Sequence, residues 1–262
     1  MIQKHLLLFA PAAFLLAPPA SAQIFDPFST DYFTKVTWND INRRTSETLR
    51  DAQRRKAASG KTAPRQAAPR PAPRKTAPRQ ATATPKAAAA PAASLSFRPA
   101  GPLAQSRGIE ALVSRQRPDQ QSTARANYVT LITSFNDTVP RLYGVQKNNM
   151  ATGVAALLSG AYVAYHNRPF PDAWVKPLVT QLEASMAGDP ALANAPAADK
   201  ETAYHIMVGA GMALQVAQLE LAKKPDARAA AGLKKMGADI FRQLLIENPD
   251  QVEFSGTGMS LR

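Results

Sequence analysis

The side chains that could do acid–base or metal chemistry are few and scattered. The 262-residue chain has three histidines, His5, His166 and His205, and no cysteine. His5 falls in a stretch that reads as a cleavable leader, which leaves two. His166 closes one uncharged stretch and His205 opens another, so an antiparallel or offset pairing of the two would bring the imidazoles together. Two imidazoles without an Asp, Glu or Cys at ligand spacing make a poor metal site, and hydrogen-bonded histidines at helix ends are the simpler reading. The lack of cysteine excludes disulfides, thiolate metal sites and a lipid-modified terminal cysteine.

The sequence contains no Gly-x-Ser-x-Gly elbow, His-Glu-x-x-His pair or Walker loop, and no Gly-x-Gly-x-x-Gly after a strand. Ser255-Gly256-Thr257-Gly258 resembles a phosphate loop only in composition. Without a strand before it and a helix after it, it reads as part of a flexible tail. Hydrolysis by paired carboxylates would need two acids facing one cleft, whereas these acids fall mostly at helix starts and on polar faces, where the helix dipole accounts for them. The expectation is therefore no catalytic residue, no cofactor and no metal.

The elements that would have to position any site are clearer. Asn148 to Asn167 contains no Lys, Arg, Asp or Glu between Lys147 and Arg168. At helical spacing Val154, Leu157, Leu158, Ala161, Tyr162 and Tyr165 make a bulky face, and Ala156, Gly160 and Ala164 a ridge of small side chains. A helix apolar on nearly every side is buried on nearly every side. Asn148 or Asn149 can cap its first amides, and Asn167-Arg168-Pro169 ends it, because the residue before proline is driven out of the helical region. A second helix, from Asp199 to about Lys223, is almost uncharged from Thr202 to Leu219 and repeats the ridge as Gly209, Ala213 and Ala217. The two ridges are expected to face each other in a close crossing. Neither helix suits a membrane: Met150 to Tyr165 is short for a span, and His205, Gln215 and Gln218 are costly in hydrocarbon.

Around this pair the periodicity predicts further helices. Ile109, Leu112 and Val113 mark a short one. A second, capped by Ser122 or Thr123, carries Tyr128, Leu131, Ile132 and Phe135. Asp137 to Gly144, with Pro140, reads as a turn. Trp174, Leu178 and Leu182 mark a helix starting between Ala173 and Lys176, since Pro177 is tolerated only near a first turn. Asp189 to Ala198 reads as a loop. A last helix, with Pro225 as its first residue, turns Leu233, Met236, Ile240, Phe241 and Leu244 inward and ends at Asn248-Pro249. The tail from Val252 to Arg262 is expected to lie extended on the surface, with no convincing strand anywhere. The expected architecture is all-α, a compact bundle of about five helices around a buried central helix, spanning 95–262 and preceded by a disordered basic linker.

Before residue 95 the composition is different. Lys4, the apolar run Leu6 to Leu16 and Ala20-Ser21-Ala22 read as a signal peptide over 1–22, which places the mature protein in the periplasm or outside the cell. Residues 23–57 begin with an aromatic cluster, including Phe25, Phe28 and Trp38, that either docks on the domain or serves as a recognition segment, and continue into a polar stretch. Residues 58–94 are low-complexity Pro, Ala, Arg and Lys, with Lys-Thr-Ala-Pro-Arg-Gln-Ala at both 61–67 and 75–81. Such a chain cannot offset its ordering entropy by burial. Of the net charge of +13, ten units sit in residues 54–94, which hold no acid, so the region 95–262 is close to neutral. Through the basic linker the partners would be anionic envelope polymers or a lipid surface, besides an unknown protein. Export, and the absence of aromatics between the charges for stacking on bases, argue against nucleic acid.

Ser96-Phe97-Arg98-Pro99, then Tyr143-Gly144, Asn148-Asn149-Met150-Ala151 and the aromatic Tyr162 to Tyr165 occur in an order that resembles a family of exported bacterial proteins known only as a domain of unknown function. The resemblance covers roughly 95–250. It implies no activity and no catalytic residues. The function expected is an exported, non-enzymatic helical protein associated with the envelope as an interaction module. The alternative is a hydrolase of envelope material whose site sequence does not reveal.

Overall fold

Fifteen consecutive residues without a charged side chain, Met150–Ala164, are all buried, and the domain is arranged around them. The computed structural model describes residues 95–244 and 246–262. In chain order its helices are α1 (Arg107–Val113), α2 (Gln121–Tyr143), α3 (Met150–His166), α4 (Asp172–Met186), α5 (Pro190–Asn194), α6 (Ala197–Lys223) and α7 (Ala227–Gln243), followed by strands β1 (Val252–Ser255) and β2 (Gly258–Leu261). Five of the helices have fifteen residues or more. The fold is all-α apart from one small hairpin, and α3 is its centre, flanked by α6, α7 and α4.

Local chemistry explains where α3 begins and ends. The Asn149 carboxamide oxygen accepts from the Ala151 amide at 2.8 Å, and Asn167 closes the helix in the left-handed conformation at φ 49°. Asn149 also donates to the Glu183 carboxylate at 3.1 Å, so the cap ties α3 to α4. The segment leading into the domain pairs with the same end: Ser96 bridges Asn149, and the Met150 amide donates to the Leu95 carbonyl.

Other boundaries depart from the sequence reading. Helix α2 begins at Gln121 without a side-chain cap, not under Ser122 or Thr123. It runs through Pro140 to Tyr143 and stops at Gly144, whose φ of 63° suits a residue without Cβ. Pro140 is tolerated because it lies in the last turn, where it removes one amide donor and the helix need not continue. Helix α4 starts at Asp172, one residue ahead of the expected range. The loop after it contains α5, opened by the Asp189 carboxylate on the Ala191 amide. Helix α7 starts at Ala227 rather than Pro225, because Asp226 caps it through the Ala229 amide, and ends at Gln243.

The tail is the largest correction. Val252–Ser255 and Gly258–Leu261 form an antiparallel hairpin with Phe254 opposite Met259. Val252, Phe254 and Met259 are buried, so the tail covers the core. Phe254 stacks edge-on against Tyr162 and Phe170, at 5.5 and 5.3 Å. Gln181 clamps the second strand, donating to the Met259 carbonyl and accepting from its amide. Ser255-Gly256-Thr257-Gly258 is the hairpin turn.

The α3–α6 crossing is as close as expected, but on another face of α6. A Cβ on Gly160 would lie 2.5 Å from the carbonyl oxygen of Gly211, and one on Gly211 would run into the Ala156 carbonyl. Gly209 points instead toward Leu112, Tyr128 and Ile132 of α1 and α2, and Ala213 and Ala217 are only half-buried. Residues two apart on a helix face roughly opposite ways, so Gly209 and Gly211 serve opposite neighbours. Gly153 adjoins Tyr204 and Met207, while Ser159 bonds Gln215. Partner numbers rise together, so α3 and α6 run parallel. Their ends His166 and His205 are therefore held roughly 20 Å apart along the axis, at about 1.5 Å per residue.

Candidate functional site

A cavity of about 130 Å³ opens between α2, α3, α4 and α6. Its origin is the small side chains of Ala155, Ala156 and Ser159 on α3, which make a low floor, and the separation of α2 from α4, which barely touch. Phe135 and Val139 from α2, Val175 and Val179 from α4, and Met212 and Val216 from α6 make apolar walls. Three polar groups matter. The Ser159 hydroxyl donates to the Ala156 carbonyl at 2.9 Å and accepts from the Gln215 amide at 3.3 Å. Gln218 is 5 % exposed and lines the cavity. At the rim the Tyr143 hydroxyl donates to Asp172 at 2.8 Å. Burial, and then the Asp172 carboxylate, hold that phenol above its usual range, so it stays a neutral donor. Asp172 is the one charged side chain in the lining.

A second, more open cleft carries several polar and charged side chains. Glu201 and His205, one turn apart on α6, line it with Asn136, Asp137 and Lys147. His205 Nδ1 lies 3.0 Å from the Ser106 hydroxyl oxygen, and burial lowers its pKa to about 4, leaving the ring neutral at pH 7. A serine beside a neutral histidine is the beginning of a nucleophilic pair, but Ser106 already accepts the Ile109 amide at 3.2 Å as the cap of α1. Glu201, which would have to orient the imidazole, accepts from the Ala100 amide at 3.2 Å. These bonds fasten residues 100–109 onto α6. His166 sits apart from them, among Tyr162 and Tyr165. Among the described residues no three His, Asp or Glu side chains are grouped to hold a metal.

Of the residues singled out from sequence, Asn149 caps α3, and Ala156, Gly160 and Ala164 are buried on it, with Ala156 reaching both the crossing and the cavity floor. Gly209 is buried against α1 and α2, away from Gly160. Phe25, Phe28 and Trp38 lie outside the described residues, as does the whole of 58–94. The sequence does not announce the cavity. Its traces there are Gln215 and Gln218 inside an otherwise apolar stretch, which by themselves count only as a cost against a membrane span. No helix among the described residues is long and apolar enough to cross a membrane.

Fold and cavity together define a helical domain with a small hairpin, a central helix buried from Met150 to Ala164 and a lateral apolar recess. The chain belongs to the family of unknown function DUF6683, whose model matches residues 1–262, well beyond the 95–250 of the resemblance. No curated protein and no solved structure matches it.

Proposed function

We propose that the protein is an exported, non-catalytic interaction module of the cell envelope. Its helical domain binds an apolar ligand in the recess between α2, α3, α4 and α6, and its basic arm holds it near anionic envelope material. The observation that carries this reading is the recess itself, with apolar walls and a few fixed polar groups, the usual make-up of a ligand pocket. The leader-like first 22 residues support export, and the charge concentrated in 54–94 supports the surface attachment.

The direct test titrates the mature chain with benzene by calorimetry. Benzene should bind, and Ala155→Leu, which extends a side chain into the recess, should abolish the binding while leaving the helical spectrum unchanged. Equal binding by the filled variant would remove the recess from the account. Turnover of envelope esters or glycans that disappears in His205→Gln or Glu201→Gln would replace the proposal with the hydrolase.

A further inference from the structure

Gln218 is a largely buried residue whose amide the fold does not use. It is 5 % exposed and lines the recess, and among the described residues its side chain takes no hydrogen-bond partner. Its neighbour on the same face, Gln215, is by contrast engaged with Ser159. The Gln218 amide atoms themselves are not sealed off, so they meet the solvent of the recess and can exchange that water for a ligand group. A leucine or methionine would complete the apolar wall, whereas the amide gives a ligand entering the recess a polar partner. Gln218 offers a donor and an acceptor side by side. The ligand that satisfies both carries a donor and an acceptor in the same arrangement.

Size and charge narrow the class. A recess of about 130 Å³ is larger than the ~30 Å³ share of one water and close to the ~150 Å³ apolar cavity known to hold benzene. It admits a hydrocarbon body of about six carbons. A carboxylate ligand would meet no cation in the lining, and Asp172 stands at the rim. A cationic ligand would have to stop at that rim or leave its charge unpaired among apolar walls.

We propose that the recess takes a neutral primary amide with a short hydrocarbon body, its carbonyl accepting from, and its N–H donating to, the side-chain amide of Gln218. A primary fatty amide at a lipid surface and a free small primary amide share this chemistry, whereas a trans secondary amide holds its N–H and carbonyl on opposite sides. The assignment rests on the reading of the recess as a binding site and adds the polar half of the ligand to it.

The mature chain is titrated by calorimetry with hexanamide, hexanoate, hexylamine and benzene, while NMR follows the Gln218 side-chain NH2 signal. Hexanamide should bind tightest of the four and move that signal. Gln218→Leu should weaken hexanamide about tenfold, the worth of a lost pair of neutral hydrogen bonds, and leave benzene binding the same or stronger. Gln218→Met gives the same comparison should the leucine variant not fold. Hexanoate or hexylamine binding as tightly as hexanamide overturns the proposal, as does hexanamide binding that ignores the substitution. Benzene bound with no preference for hexanamide refutes the Gln218 assignment while the recess survives as a binding site; if none of the four binds, both fail. A longer-chain primary amide presented in a vesicle and in free solution then separates the lipid from the small-molecule source.

Discussion

Gly160 of the central helix and Gly211 of α6 meet backbone to backbone: a Cβ on Gly160 would lie 2.6 Å from the Gly211 Cα. No rotamer change relieves such a contact, because both sides are main chain. The crossing is thus set by the absence of two side chains. Gly160→Ala should cost about 1–3 kcal/mol through overpacking, or roughly 2–4 °C of Tm for each kcal/mol in a domain of this size. Gly209→Ala should cost less, since the atom it meets first is the end of the Leu112 side chain, which can turn away. A melting curve for Gly160→Ala at or above the wild type would show that the helices do not approach as described.

Phe254 gives the second prediction. In the hairpin it is buried and stacks on Tyr162 and Phe170, so Phe254→Ala should cost about 3 kcal/mol or more. A surface tail would make the same change nearly neutral. Urea denaturation decides between them, and a change under about 0.5 kcal/mol would remove the hairpin from the core.

His205 predicts a dependence on pH. Burial lowers its pKa to about 4, against about 6.5 in an unfolded chain. On acidification the unfolded chain takes up the proton first. The contribution to stability is therefore complete above about pH 6.5 and is lost as the pH falls toward 4, to an extent on the order of 2 kcal/mol. His166, lowered by burial as well, adds to the slope, so the informative quantity is the difference from His205→Gln. That variant can keep a bond to Ser106 and should lose less stability between pH 6.5 and 4. Identical slopes would place His205 in water.

The basic arm predicts a dependence on salt. Binding of the chain from residue 23 onward to vesicles rich in anionic lipid should weaken steeply as salt is raised, since exposed charges are screened over about 10 Å at 0.1 M. Deleting residues 61–92 should weaken that binding and leave Tm unchanged. Binding that ignores both salt and deletion would show the arm to be a spacer.

The sequence alone determined the central helix and its cap. Fifteen adjacent residues from Met150 to Ala164 without a charge can be stable in water only when covered, and Asn149 sits where a first turn needs an acceptor. Burial of a whole helix and satisfaction of its end are local properties, written in residues next to one another. The tertiary structure decided everything that depends on which distant residues meet. Gly209 and Gly211 are equally small and two positions apart, and only the approach of α3 selects Gly211. Val252 to Leu261 is too short to declare itself a hairpin until Tyr162, Phe170 and Gln181 supply a surface for Phe254 and partners for Met259. Gln218 looks like any interruption of an apolar stretch until the separation of α2 and α4 leaves a recess beside it. Helix rotation and the gaps between helices come from packing among residues far apart in the chain, and a periodic pattern read along one helix carries no information about its neighbour.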